Sequence, residues 1–381
     1  MLFLNNDDIA QVLTPADCVR VHEEGELELA RGELAARPRF DTITATPAAG
    51  HFYRWGTVEA ASKALQTQAI RLKSDVVYYE QRNGHTVEEK YASRPGLYCG
   101  LVFLFDTSNG EPLALLQDGL LQQARVGAKN ALGVKYLSRA DSKTVGMLGS
   151  GGQARSHLAS FCAVRPIESC KVYSPTPAHR EAYAAEMRES LGIDVVAVDS
   201  PHDAVAGADI LACCTNSMEP VLFGGMVDRG MHLTNVSGEW SDEVTAMVDV
   251  SARSAPNHQF QGAPIDMSQG RGGAAAVYAA ANDEELRELE SISGDRYGPI
   301  TPRDRPASRE TARQVLLADL IEGKAQGRSG DEEISASTGI GSGGTSGLSF
   351  VVVGRLVYDL ARARGLGTEL PTELFLQDIK D

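Results

Sequence analysis

The period of apolar positions changes several times along the chain, and each change marks a new kind of element. Leu2-Phe3-Leu4 reads as a short strand, and Asn6 or Asp7 is placed to cap a first helix. A second helix, with Glu-rich outer positions, is expected through His22 to Leu34. From about Phe40 to Phe105 the pattern becomes that of strands: Ala69-Ile70-Arg71-Leu72-Lys73 alternates apolar and basic residues, and Gly100 to Phe105 is a compact apolar run. Asn109-Gly110 is a hairpin signal between Val102–Phe105 and Pro112–Leu116. The first hundred-odd residues therefore predict a mixed, largely antiparallel module.

Helical spacing follows from Leu120 to Leu137, and then strands and helices alternate. Strands are expected at Thr144–Leu148, Lys171–Tyr173, Asp194–Val198, Asp209–Cys214 and His232–Val236, with helices at Ala154–Val164, His179–Ser190 and Pro201–Ala206. That rhythm is the mark of parallel βαβ units. The Gly-, Ala- and Glu-rich stretch from about Ser268 to Pro306 fits no element, and Gly339–Gly347 is Gly/Ser-rich. An apolar helix, Leu348–Ala363, comes last and is expected to pack back on the N-terminal module. The fold class is thus α/β: a Rossmann-type dinucleotide-binding domain, residues 126–331, inserted in a mixed α+β domain made of residues 1–125 plus 332–381.

Composition narrows the functions. The 381 residues are 43% hydrophobic and 23% charged, which is globular, and no apolar run is long enough to cross a bilayer. The start, Met1 to Asp8, turns acidic after four residues and does not read as a secretory signal, so a cytoplasmic protein is expected. A net charge of −15 without a basic block argues against nucleic acid. Six cysteines without CxxC spacing and scattered histidines give no support to a disulfide frame or a metal site.

The chemistry begins at the end of the first parallel strand. Gly149-Ser150-Gly151-Gly152-Gln153-Ala154 follows Val145–Leu148 and opens a helix. Gly149 makes the tight turn, Gly151 lets backbone N–H groups approach a pyrophosphate, and Ala154 permits close helix-to-strand packing at a positive helix terminus. Where the next strand ends, NAD sites carry a carboxylate for the ribose 2′-hydroxyl. Here the text is Tyr173-Ser174-Pro175-Thr176-Pro177-Ala178-His179-Arg180, with hydroxyls and a cation, so NADP(H) is expected in preference to NAD(H).

Further motifs lie on both sides of this loop. Asp106 to Gly110 with Glu111-Pro112-Leu113-Ala114, Asp118-Gly119, and Gln122-Gln123-Ala124-Arg125-Val126-Gly127-Ala128 precede it. Gly207-Ala208-Asp209-Ile210, Cys214-Thr215-Asn216, Gly230-Met231-His232-Leu233 and the end, Leu356-Val357-Tyr358 to Gly365-Leu366-Gly367-Thr368, come after. In this order, and over nearly the whole chain, they resemble the ornithine cyclodeaminase/mu-crystallin family. The resemblance implies a homodimer built through the N-terminal module and nicotinamide-dependent chemistry at the Cα–N bond of small amino or imino acids. Imine or ketimine reduction, amino-acid dehydrogenation and cyclodeamination with release of ammonia are the activities it brings, and a ligand-binding protein of the crystallin kind is the non-enzymatic alternative.

The resemblance also assigns roles. Arg125 matches the family Arg after the Asp-Gly segment, Arg39 resembles the early carboxylate-binding Arg, and Lys73 matches the strand Lys, although Ile70 to Asp75 departs from the common pattern. Arg71 lies on the same face of an ideal strand as Lys73, so the two are expected to share the role. Arginine suits a carboxylate because its planar fork binds both oxygens. For proton transfer at nitrogen the family's cyclodeaminases use an Asp, where this chain has Glu239 after Asn235-Val236-Ser237-Gly238. Asp242 is the fallback. Thr215, Asn216, Ser217 and Val236, at the ends of two parallel strands, are expected beside the nicotinamide ribose. A hydroxy-acid dehydrogenase is disfavoured, since no His–carboxylate pair stands in a convincing context.

Overall fold

The computed structural model describes residues 1–82, 84–236, 240–255, 276–280, 312–337 and 345–379. The chain opens with β1 (Leu2–Leu4), α1 (Asn6–Ala10) and α2 (Pro15–Ala30). Asn5, rather than Asn6 or Asp7, caps α1: its side chain accepts from the Asp8 N–H while the Asp8 carboxylate accepts from the Asn5 N–H. The second helix also starts earlier than its apolar period suggests, because Thr14 caps it and Pro15 supplies a preset φ at its first position. Gly32, at φ 71°, turns the chain, and Leu34 already belongs to the sheet, so the expected helix through Leu34 ends four residues short at Ala30.

Six strands follow: β2 (Leu34–Ala45), β3 (Phe52–Ser62), β4 (Thr67–Arg82), β5 (His85–Tyr91), β6 (Gly100–Asp106) and β7 (Pro112–Gln117), then α3 (Gly119–Leu137). The second half runs β8 (Thr144–Leu148), α4 (Gly152–Cys162), β9 (Ser169–Tyr173), α5 (Pro177–Leu191), β10 (Asp194–Ala197), α6 (Pro201–Val205), β11 (Ile210–Cys213), β12 (His232–Asn235), α7 (Asp242–Met247) and β13 (Val250–Arg253). It closes with β14 (Ala276–Ala280), β15 (Arg313–Leu316), α8 (Leu317–Ile321), β16 (Ser335–Ser337), α9 (Ser346–Arg364) and β17 (Thr368–Glu369).

These strands form two sheets. The first has the order β14-β2-β3-β4-β6-β7-β1-β17, with β5 paired to β4, and is antiparallel except where β14 meets β2 and β1 meets β7. The second, β10-β9-β8-β11-β12-β16-β13-β15, is parallel throughout, the doubly wound arrangement of a Rossmann-type domain. It takes in Ser335–Ser337, just past residue 331. Most of the Ser268–Pro306 stretch and residues 339–344 of the Gly/Ser-rich segment lie outside the described residues.

One face of the first sheet is covered by helices. On β4, Thr67, Ala69, Arg71, Lys73, Asp75 and Val77 are all buried and alternate with partly exposed residues, so the inward face passes from apolar to charged. α9 lies over the apolar part. Its Gly347 has no room for a Cβ against the Glu59 carbonyl, and a Cβ on Gly25 of α2 would stand 2.8 Å from Val352. α3 joins the sheets: it starts beside β6 and β7, and Gly127 packs so tightly on α4 that a Cβ there would lie 2.5 Å from the Ser156 carbonyl oxygen. The six cysteines are all free thiols, and Cys18, Cys170, Cys213 and Cys214 are buried core residues.

Candidate functional site

Gly149 adopts φ 107°, and a Cβ there would collide with the Cys214 carbonyl. Only glycine fits a left-handed turn pressed against the neighbouring strand end. Gly151 has open space where its Cβ would be and serves as the N-cap of α4, with no side chain bonded to the helix's first N–H groups. Those donors are left for an anion. Tyr183 donates to the Ala154 carbonyl (3.2 Å) and fixes the start of α4. These features fit a dinucleotide pyrophosphate.

At the end of β9 the Ser150 hydroxyl donates to the Ser174 hydroxyl at 2.9 Å. Thr176 caps α5 without a side-chain bond to it. Arg180 is mostly buried: it donates to the Ser174 carbonyl at 3.1 Å, pairs with the exposed Asp199 and lies over the Tyr173 ring. Arg180 thus braces the strand end, a part that sequence reasoning did not foresee. Thr215, Asn216 and Ser217 follow β11, and the Val236 N–H donates to the Cys213 carbonyl at 3.1 Å, bringing the ends of β11 and β12 together. Glu239 lies outside the described residues; Asp242 heads α7.

The basic residues gather on the inward face of the first sheet. Arg71 Nε donates to Asp118 Oδ2 at 2.6 Å, and its Nη2 reaches the Tyr98 hydroxyl, which in turn donates to Asp118 at 3.3 Å. Two residues along β4, Lys73 Nζ stands 3.3 Å from Asp75. Arg54 on β3 reaches Asp75 (3.5 Å) and Glu88 on β5 (3.2 Å). Arg39 pairs with Asp41 through Nε at 2.7 Å. Gly56 lies between Asp41 and Lys73 in register, and a Cβ there would meet the Lys73 chain at 2.8 Å. Burial, then the charges of Arg39 and Arg54, push the Lys73 ammonium well below its ordinary pKa. At Asp41, burial pushes the pKa up, but Arg39 and Lys73 outweigh it and hold the carboxyl low.

Arg125 completes this face from α3. Its guanidinium lies over the Phe350 ring (5.1 Å), as does that of Arg71 (5.7 Å), and its hydrogen bonds go to the Gln122 amide at 3.1 and 3.2 Å. Burial and the neighbouring Arg71 lower its pKa to about 10. The same turn of α3 carries Gln123, whose amide would block a Cβ on Gly152. The phosphate loop and the cationic face are therefore adjacent, a few residues apart on one helix. A second bridge comes from the β4–β5 hairpin: Val87 pairs with Ser217, and the Met218 N–H donates to the Thr86 carbonyl at 3.2 Å. Arg71 and Lys73 share the inward face of β4 as the period of two predicts, with Arg39 of β2 beside Lys73 and Arg125 of α3 beside Arg71. Arg54, Asp75, Glu88, Tyr98 and Asp118 were missed, although Arg71, Lys73 and Asp75 at spacing two were a readable signal.

This combination defines a dinucleotide-binding protein with a cation-rich face beside the phosphate loop. The ornithine cyclodeaminase/mu-crystallin family model matches residues 79–364, and the chain belongs to that family. A Delta(1)-pyrroline-2-carboxylate reductase of Bacillus cereus is 29% identical over 271 residues, 71% of this chain and 74% of the relative. The ketimine reductase mu-crystallin of Rattus norvegicus is 30% identical over 199 residues, 52% of this chain and 59% of the relative. In fold, the chain is similar to Thermococcus litoralis Delta(1)-pyrroline-2-carboxylate reductase in complex with NADH and L-proline, with TM-score 0.71, 23% identity and coverage of 97% of this chain and 100% of that one.

Proposed function

We propose that this chain is an NAD(P)-dependent imine reductase or amino-acid dehydrogenase acting at the Cα–N bond of a small amino or imino acid. The observation that carries this reading is the placement of Arg125 and the Gly152-facing Gln123 on one turn of α3. A substrate carboxylate held by Arg125, with Arg39, Arg71 and Lys73 around it, lies next to a cofactor anchored at Gly149–Ala154. Bound NAD(P)H supplies the hydride. The residues of this chain hold the carboxylate, orient the imine carbon and exclude water, and orientation of this kind accounts for a large share of catalytic power. Glu239 holds or returns the proton at nitrogen; Asp242 is its substitute if Glu239 proves dispensable.

NADP(H) is the preferred cofactor in this reading, with Ser150, Ser174 and Thr176 offering hydroxyls and Arg180 a cation to the 2′-phosphate, and Thr215, Asn216, Ser217 and Val236 flanking the nicotinamide ribose. The protein works as a cytoplasmic homodimer whose substrate and dimerisation domain is residues 1–125 with the C-terminal part from α9 onward, its sheet extended by Ala276–Ala280, while Ser335–Ser337 belong to the parallel sheet. The names of the relatives, reductases among them, support the reaction class.

The test is incubation of the purified protein with NAD+ or NADP+ and ornithine, lysine, proline or alanine, following ammonia and reduced nicotinamide together. Net cofactor reduction supports the dehydrogenase or reductase. Ammonia without net reduction makes the protein a cyclodeaminase, and ligand binding without either product makes it a binding protein. Equal or better kcat/KM with NAD(H) would remove the NADP(H) preference.

A further inference from the structure

Both guanidiniums beside the Ser150–Ser174 hydroxyl pair carry a carboxylate of the chain. Arg155 of α4 donates to the Ser150 carbonyl at 2.6 Å and holds Glu186 of α5 through Nε at 2.9 and 3.0 Å. Arg180, on the Ser174 side, donates to the Ser174 carbonyl at 3.1 Å and pairs with Asp199. Among the described residues, the two positive charges of this cradle therefore meet two negative ones.

The end of the second strand is where a Rossmann-type sheet receives the adenosine ribose. Here that is the end of β9, and the Gly149 N–H ties the phosphate turn to it by donating to the Tyr173 carbonyl at 2.8 Å. The Val198 N–H donates to the Val172 carbonyl at 3.0 Å, which brings the end of β10 alongside. Asp199 follows directly. It does not stand where a carboxylate for the ribose 2′-hydroxyl is expected, since Ser174 occupies that place, and it reaches the site through Arg180.

The two ion pairs differ in kind. Glu186 grips Arg155 through both Nε and Nη2, and the guanidinium lies 5.4 Å from the Tyr183 ring centroid, so this pair braces α4 against α5. Asp199 holds Arg180 through Nη2 alone, and its side chain is 94% exposed while that of Arg180 is only 10% exposed. A single-contact pair with an exposed carboxylate exchanges its anion far more readily than a two-nitrogen grip. Arg180 is thus the cation that a 2′-phosphate can recruit, and Asp199 is the anion it has to displace.

We propose that Asp199 sets the cofactor preference of this chain, neutralising Arg180 when the ribose carries a free 2′-hydroxyl and opposing the cofactor when it carries a 2′-phosphate. The proposal rests on the reading above that a dinucleotide places its adenosine ribose at the end of β9. A phosphate monoester brings about 1.5 to 2 negative charges at neutral pH. Arg180 turns from Asp199 to the phosphate, and Asp199 is left beside a like charge that NAD(H) never presents to it. Asp199 therefore holds the preference for NADP(H) below what Arg180 alone would give.

Wild type, Asp199→Asn, Arg180→Gln and Glu186→Gln are titrated with NADPH and with NADH, read by the fluorescence of the reduced nicotinamide. Asp199→Asn should raise the ratio of NADPH to NADH affinity about tenfold at low salt, and Arg180→Gln should lower it by at least as much. The gain in Asp199→Asn should shrink several-fold in roughly 0.5 M salt, because a charge effect at an exposed site is screened and a packing effect is not. Glu186→Gln removes the same charge from the same cradle and should shift the ratio far less. An unchanged ratio in Asp199→Asn, or an equal shift in Glu186→Gln, overturns the proposal and leaves dinucleotide binding standing. Failure of the wild type to bind either dinucleotide overturns the reading beneath it, and the proposal with it.

Discussion

Arg125 stands where burial and a neighbouring cation both oppose its charge, and its hydrogen bonds within the chain go to a neutral amide. A guanidinium in that position gains more from an incoming carboxylate than one already paired, such as Arg71 with Asp118. Arg125→Ala is therefore expected to lower kcat/KM for the imino acid by roughly 2–5 kcal/mol, the range for removing one member of a buried charge pair. Arg125→Lys keeps the charge but loses the planar fork and should recover only part of it. Steady-state kinetics at saturating cofactor would check this, and a loss confined to cofactor KM would place Arg125 on the wrong ligand. Arg125 was legible in the sequence through its match to the family Arg after the Asp-Gly segment. Arg54 and Tyr98 were not, since each acquires its meaning from partners on other strands or from a loop.

A different residue-scale constraint operates at Gly149. Any side chain there meets the Cys214 carbonyl and must also adopt φ 107°. Gly149→Ala should cost about 1–3 kcal/mol of stability from the backbone strain alone and weaken dinucleotide binding more than it changes imino-acid affinity. Denaturant unfolding and cofactor titration would measure the two effects separately; an unchanged cofactor Kd would mean that the turn does not face the pyrophosphate.

Elements were legible where one local rule dominated. The GxGxxA turn is local geometry, and the period of two along Ala69–Lys73 is enough to put Arg71 and Lys73 on one side of β4. The start of α2 went astray because its apolar positions are less telling than the Thr14-Pro15 cap that precedes them. The role of α3 was the least legible, because it depends on what lies on both of its sides. Gly127→Val tests that role. A side chain there drives α3 away from the Ser156 backbone, which cannot yield as a flexible side chain would. Overpacking of this kind costs typically about 1–3 kcal/mol. Since α3 holds Gln123 against the phosphate loop and Arg125 over Phe350, cofactor and substrate affinities should fall together. A variant that loses only one of them would show that the two sites are seated independently.

At the scale of the whole molecule, three buried imidazoles surround that same helix. His157 bonds Asn130 of α3 at 2.8 Å and the Gln153 carbonyl at 2.6 Å, and Asn130 donates on to the Asn235 carbonyl at 3.2 Å. His232 bridges Ser335 and Ser337, and its Nε2 would lie 3.3 Å from a Cβ on Gly133 of α3. His22, on α2, feels the charges of Lys129 and Arg125. Burial pushes all three down from 6.5, His157 to about 4 and the other two to about 3, with Arg328 and Arg165 adding to the shift at His232. Between pH 6.5 and about 4 the unfolded chain binds up to three protons that the folded chain refuses, so stability falls as pH falls through that window. Each proton is worth about 1.4 kcal/mol per pH unit, or roughly 4 kcal/mol for three, a large part of the total stability of a typical protein. Denaturant midpoints measured from pH 7.5 down to 5 should drop with rising steepness below 6.5, and His22→Gln should remove about a third of the slope. A flat profile would mean that these rings accept protons without leaving their seats. Because all three rings press on or beside α3, acid should release the substrate face and the phosphate loop in a single transition, with imino-acid and dinucleotide binding lost at the same pH.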